Sequence, residues 1–293
     1  MRAWTQDGTE EEVGEWPQPQ RVVVWFHNKS TFYVNNRRKK RWVHKSEKAV
    51  PCAKGERASL MVADFVSADY GWLRSPDGTE SARVNFKAGK TRDGYFTNVE
   101  IILQLELAMN IVQKHYPNDH HIFMYDNATT HMKRPATTPT ATKMTKNPST
   151  KFGAEVTVTM DEKIQYAADG KPQKCTVQMG PGILPNGQPH YFYNTLSTTV
   201  LGTFKGMTKL LQECGFTEEA KLKGSCKNFK CPTGARKCCQ KHMLYDQPDF
   251  TDQLSALEIV CKTRGFEVIF LPKFHCELNF IEQCWGHAKR VYR

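Results

Sequence analysis

The chain lacks any apolar run near the ~20 residues that a bilayer-spanning helix needs. Its longest runs are VVVWF (22–26) and VIFLP (268–272). The opening MRAWTQDGTEEEVGEWPQPQ is acidic and has no apolar h-region, so no secretory signal and no membrane partner are expected. Without export, the ten cysteines are expected as reduced thiols or metal ligands rather than a disulfide framework. There is no Walker-type and no G-x-G-x-x-G loop, which argues against nucleotide-driven chemistry. No nucleophile motif accompanies the histidines, and no internal repeat is visible. Acid is also scarce: 30 Asp+Glu stand against 41 Lys+Arg in 293 residues, a formal charge of +11. With a pI near 9.1, that excess makes a polyanion the expected partner.

What is present is enough for a core. A hydrophobic share of 39% with 11% aromatics excludes a wholly disordered chain. The length suits one large domain, or one carrying a sizeable insertion. Residues 1–20 read as a disordered acidic lead-in. Strand-like runs rich in β-branched and aromatic residues follow at 21–26, 30–34 and 58–66; SPDGTE (75–80) signals a turn before a partner strand at 82–86. Thr97 and Glu100 make a capping box. Ile101, Leu105, Ala108, Met109 and Val112 then share one helical face, in a helix ending near His115. A strand, HIFMYDN (121–127), comes next, and KRPATTPTATKMTKNPSTK (133–151) reads as a linker. Residues 154–180 suggest a hairpin around Asp169-Gly170, and 204–215 a helix closed by Gly215. The chain ends with a helix at about 250–264, a strand at 266–272, and a helix at 277–292 buried along Leu278, Ile281, Trp285 and Ala288. With 134–249 set aside, the order predicts a mixed sheet flanked by helices, an α/β architecture.

Two segments carry chemistry. FMYDNATTH (123–131) sets Asp126 at the end of a buried strand; LPKFHCELNFIEQCWG (271–286) sets Glu282 on the inner edge of a helix. Acids in such places are poor for stability alone, and a divalent cation would compensate their charge. Mg²⁺ or Mn²⁺ takes hard oxygen ligands, and a pair of ions can hold both the attacking and leaving oxygens of a phosphodiester. The plainer reading makes Asp126 a turn cap and Glu282 a solvated helix residue. His131 could orient a phosphate or cap local structure, and His275 could approach the same place.

The pattern DNA-x-x-H followed by LP-x-x-x-x-ELN-x-IE-x-x-W resembles the second and third blocks of mariner-type DDE transposases and related DDE-superfamily endonucleases. The surrounding segments resemble a fungal-type DDE-endonuclease-like group, over about 21–133 and 200–293. The resemblance implies a ribonuclease-H-like fold with the first acid on strand one, Asp126 on strand four and Glu282 on the last helix. It implies a core at 21–133 and 250–293, interrupted by an insertion at 134–249 between the fourth and fifth strands. It further implies Mg²⁺- or Mn²⁺-dependent cutting and joining of DNA. A nuclear location is a separate expectation, and a homodimer is one candidate assembly that the sequence does not decide.

The chain departs from that pattern in three ways. The family's first block reads H-D-E-S-T-F, where this chain has His27-Asn28-Lys29-Ser30-Thr31-Phe32. Asn28 therefore stands at the position of the first acid, and losing one charged contact of that kind costs ~10²–10³-fold in rate. Asp64 and Asp69 are expected beyond reach, on or after a later strand. The stretch from Asp126 to Glu282 is longer than in simple mariner-type enzymes, and the first strand follows too soon for a helix-turn-helix pair. The expectation is a degenerate copy: a doubtful DDE endonuclease or, alternatively, an inactive DNA-binding or chromatin-associated protein.

Two basic stretches fit either outcome. Arg37, Arg38, Lys39, Lys40, Arg41 and Lys45 flank Trp42 in a candidate DNA-binding arm, equally readable as a solvated hairpin tip or a localisation run. Cys226, Cys231, Cys238, Cys239 and His242 form C-x4-C-x6-CC-x2-H, a candidate Zn²⁺ knot or a set of reduced thiols. Residues 221–241 hold seven Lys or Arg and no acid. Cys261, Cys276 and Cys284 are expected as small buried hydrophobes.

Overall fold

The structure, a computed structural model, describes residues 3–4, 10–11, 20–33, 44–46, 59–89, 92–160, 163–165, 167, 172–194 and 202–292. The chain divides into two compact units, residues 1–133 with 257–293, and residues 134–256.

The first unit is a mixed sheet between helices. Strand β1 (Val22–Tyr33) is antiparallel to β2 (Ser59–Ser67), which pairs in turn with the short strands β3 (Gly71–Trp72) and β4 (Val84–Phe86). Helix α1 (Asn98–His115) leads to β5 (His120–Tyr125), parallel to β1 on its other side. Helix α2 (Ala256–Thr263) leads to β6 (Glu267–Phe270), parallel to β5, and α3 (Phe280–Tyr292) closes the chain. The strand order is β6-β5-β1-β2-β3.

The runs at 21–26 and 30–34, expected as two strands, are one. The polar triplet His27-Asn28-Lys29 does not interrupt β1 because β2 pairs with it without a break, from Phe26↔Val66 to Tyr33↔Ser59. Side chains of a strand alternate between faces. Val23, Trp25, Phe65 and Phe123 thus enter the core beneath α1 and α2, with Ile101, Leu105, Leu257 and Cys261. Phe26, Phe32, Val62 and Val66 meet Ile281 and Trp285 of α3 on the opposite face. The capping box of α1 forms as expected: Thr97 N–H donates to Glu100 Oε2 at 2.6 Å, and the Thr97 hydroxyl accepts from Val99 N–H.

Near the chain's end the periodicity overshot. The helix expected at about 250–264 is two pieces, Pro248–Thr251 and α2. The last helix begins at Phe280 after a 3₁₀ turn, Cys276–Leu278, which leaves Leu278 and Cys276 exposed.

The second unit has its own core of Phe192, Tyr193, Phe204, Met207, Leu210, Leu211, Leu244 and Phe250. Ala154–Thr157 and Lys174–Val177 form the expected hairpin ladder; its Asp169-Gly170 turn lies outside the described residues. The helix Met207–Glu213 ends before Gly215, whose φ of +87° suits glycine at that position. Part of the Thr/Pro-rich stretch is not a linker. Ala141 and Met144, around a 3₁₀ turn, are buried in this core.

Candidate functional site

The first unit brings the three positions singled out in the sequence to the end of the sheet from which β1, β5 and α3 can all be reached. Asn28 lies within β1, Asp126 directly follows β5, and Glu282 is in the first turn of α3. Alternation along β1 sends His27 to the α1 face and Asn28 to the α3 face.

Asn28 is buried and donates its side-chain amide to Glu282 Oε1, although Glu282 is otherwise exposed. Its carbonyl Oδ1 accepts the Lys29 backbone N–H at 2.6 Å. Those partners define the amide's orientation, since a backbone N–H needs an acceptor and a carboxylate needs a donor. Buried Asn279 ties the start of α3 to the same strand by donating Nδ2–H to the His27 carbonyl at 3.2 Å.

Asp126 is half-exposed and sits against a buried histidine. His131 Nδ1 lies 2.5 Å from Asp126 Oδ1 and 3.0 Å from the Asp126 carbonyl oxygen. The intervening turn is held by His131 N–H on the Ala128 carbonyl and by Asn98 of α1 on the Thr130 carbonyl. Burial pushes the Asp126 carboxyl up, but the bond and charge of His131, the Ala128 N–H and His27 together leave it below the ordinary carboxylate value.

Sequence reasoning missed two participants. His27 packs beside Tyr125 and His131, with ring centroids 4.5 and 5.5 Å away, and its Nε2 faces Gln104 Oε1 at 3.1 Å. Complete burial, aided by His131, pushes its pKa down to about 3, so it is neutral at physiological pH. The alternation of β1 could have revealed it. Asp64, set aside because it lies on a different strand, is the direct cross-strand partner of Asn28. It is fully buried, and Arg83 Nε reaches its Oδ2 at 2.6 Å while the guanidinium lies over Trp72. Burial raises its carboxyl, against the opposing pull of Arg83.

These residues do not fit a pair of divalent cations. Mg²⁺ and Mn²⁺ need several convergent anionic oxygens. Here the first expected acid is an amide that donates to Glu282, the third, while Asp126, the second, is engaged by His131 and Asp64 is neutralised by Arg83. Among the described residues, the metal-compatible cluster of three or more Cys, His, Asp or Glu is formed by cysteines of the other unit.

The remaining positions are dispersed. Arg37, Arg38, Lys39, Lys40, Arg41 and Trp42 lie outside the described residues; Lys45 is exposed in a turn. His275 is exposed and bonded to Glu277 at 2.7 Å, and it lines a cleft of about 250 Å³ with Asp126, Leu271 and Phe274. In the second unit, Cys226, Cys231, Cys238 and Cys239 converge, whereas His242 stands beside Cys238. The basic stretch is less free than its composition implied. Lys221 pairs with Glu218 at 2.8 Å and Lys237 with Glu219 at 2.6 Å, two acids just outside the counted window. Lys223, Lys227, Lys230 and Arg236 stay exposed.

No protein-family model matches the chain, and no curated protein matches it. Among solved structures, it is similar to the Mos1 transposase paired-end complex with left transposon end, at 22% identity over 39% of this chain and 31% of that chain, TM-score 0.28. It is similar to the Mos1 mariner paired-end complex with Mn, at 24% identity over 39% and 31% with TM-score 0.28. A pre-cleavage Mos1 transpososome matches at 21% identity over 39% and 32%, TM-score 0.27. The chain spans about a third of the length of these proteins.

Proposed function

We propose that this chain is a transposase-derived, ribonuclease-H-like protein that binds DNA and has lost divalent-metal-dependent cleavage. The observation that carries the reading is the hydrogen bond from Asn28 to Glu282, which joins two positions where the DDE resemblance calls for acids sharing cations. The support for ancestry is the motif pattern together with the strand order β6-β5-β1-β2-β3, with Asn28, Asp126 and Glu282 on the first strand, after β5 and on the last helix. Retained Mg²⁺- or Mn²⁺-dependent cutting and strand transfer is the competing reading. It requires a cation to displace the Asn28 amide and to accept one charged oxygen fewer.

DNA binding would rest on the exposed Lys223, Lys227, Lys230 and Arg236 and on the arm at 37–45, each phosphate contact releasing a counterion. The same reading proposes a nuclear location and a homodimeric assembly.

The test is nicking of supercoiled DNA with Mg²⁺ or Mn²⁺, alongside binding across a salt series. The wild-type chain is expected to bind with a steep salt dependence and to leave the DNA intact. Nicking by wild type that Glu282→Gln abolishes would establish cleavage and overturn the inactive reading. Binding that is absent, or indifferent to salt, would overturn the DNA partner.

A further inference from the structure

We infer that the second unit holds a structural zinc ion in an all-sulfur site made by Cys226, Cys231, Cys238 and Cys239, with His242 beside the site rather than in it.

The geometry is that of a tetrathiolate. All four Sγ atoms lie within 4.8 Å of one another, and no disulfide joins them. A Zn–S bond of ~2.3 Å in a tetrahedron sets the sulfurs about 3.8 Å apart, so a small contraction around the ion completes the site. The Cys238 and Cys239 sulfurs, from adjacent residues, are already 4.0 Å apart. A disulfide would need ~2.05 Å and would join only two of the four.

The surrounding chain has little else to hold it. Backbone bonds from Gln240 N–H to the Lys223 carbonyl and from Lys241 N–H to the Gly224 carbonyl close a loop over 224–239. Among the described side chains of that loop, the buried ones are Cys226 and Cys239. The loop also contains Asn228 at φ +52°, a conformation that costs energy for a residue with a Cβ. A segment without an apolar core is ordered by metal binding in small zinc modules, where binding free energy becomes folding free energy. A cavity of about 290 Å³, lined by Cys231, Cys239, Lys241 and His242, gives the ion a way in.

His242 fits an outer role. Its Nδ1 is 3.1 Å from the Cys238 sulfur, and its Nε2 is 3.4 Å from Asp246 Oδ2 one helical turn on. A ligating imidazole nitrogen would point at the ion; this one points at a ligand sulfur, with a carboxylate orienting the ring from behind. Partners of that kind aim the ligand and tune its basicity. A zinc tetrathiolate carries two net negative charges, and the cations of 221–241 offset them.

The experiment uses the full chain, purified under reducing conditions. Elemental analysis is expected to find one zinc per chain, and titration with an organomercurial is expected to release it as four thiols react. His242→Ala is expected to keep the stoichiometry while weakening retention against a chelator by roughly 10-fold. Cys226→Ser and Cys231→Ser are expected to lose the metal. Wild-type protein that stays below half a zinc per chain after zinc is supplied during reduction overturns the proposal, without reliance on any variant's folding. Disulfides mapped among the four cysteines in metal-free, folded protein do the same. Complete zinc loss in a folded His242→Ala protein overturns the ligand assignment.

Discussion

The Asn28 side-chain amide donates to the Glu282 carboxylate, joining the first strand of the sheet to the last helix across 254 positions of sequence. A hydrogen bond from a neutral amide closes a gap that two carboxylates would leave open for a cation. Three expectations follow from this contact and from the buried groups of the same unit, and a fourth concerns two glycines of the second unit.

Asn28→Asp replaces a donor with a charge facing another charge. Without divalent cations, the variant should be less stable by about 1–3 kcal/mol, toward the lower end because Glu282 is exposed. Mn²⁺ should raise its melting temperature and leave wild type unmoved. Thermal unfolding with and without Mn²⁺ measures both, and equal stability of the two proteins in chelator would remove the structural role of the contact.

His27 makes the first unit acid-sensitive. Unfolded, it takes up a proton near its ordinary 6.5; folded, it does so only at about 3. The unfolded chain therefore binds more protons across that window, and stability falls as pH drops through it, on the order of 1 kcal/mol per pH unit. His121, also depressed by burial, acts in the same direction. Asp126 contributes only at lower pH, because a depressed carboxyl keeps its stabilisation until acid reaches it. Urea denaturation between pH 5 and 7 should show the slope, and His27→Gln should flatten it.

Arg83→Met should cost about 2–4 kcal/mol, because it strands the fully buried Asp64 carboxylate. The partial exposure of Arg83 holds the loss below that of a wholly buried pair. Adding Asp64→Asn to Arg83→Met should recover part of the stability. A denaturant double-mutant cycle reads the coupling, and additive effects would show that the pair does not stabilise the sheet.

Gly206 and Gly215 should differ under substitution by alanine. Both have positive φ, +84° and +87°. A Cβ at Gly206 would stand 2.6 Å from the Asn147 carbonyl carbon, whereas at Gly215 it would meet open space. Gly215→Ala should cost about 1 kcal/mol. Gly206→Ala should cost at least about 2 kcal/mol, since backbone cannot swing aside. Chemical denaturation of the two variants compares them directly.

Local patterns were legible where a single element sufficed. The capping box at Thr97 and Glu100, the buried face of α1 and the stop at Gly215 depend on neighbours within a turn or two. Boundaries failed where pairing or packing overrode periodicity. β1 runs through His27-Asn28-Lys29 because β2 supplies a continuous partner, and Ala141 with Met144 is buried despite its Thr/Pro-rich surroundings.

The sequence by itself determined which chemistry was available: an amide and a lysine at 28 and 29, acids at 126 and 282, four cysteines within 226–239, and the basic excess. Only the tertiary structure decided who faces whom. It set Asn28 against Glu282 and Asp64 against Arg83, buried His27 beside His131, drew the four sulfurs together and left His242 outside them. Composition is local, whereas sheet register and helix docking bring together residues hundreds of positions apart. The +11 charge is likewise a property of the sequence, but Glu218 and Glu219 neutralise two of the lysines in its densest described stretch.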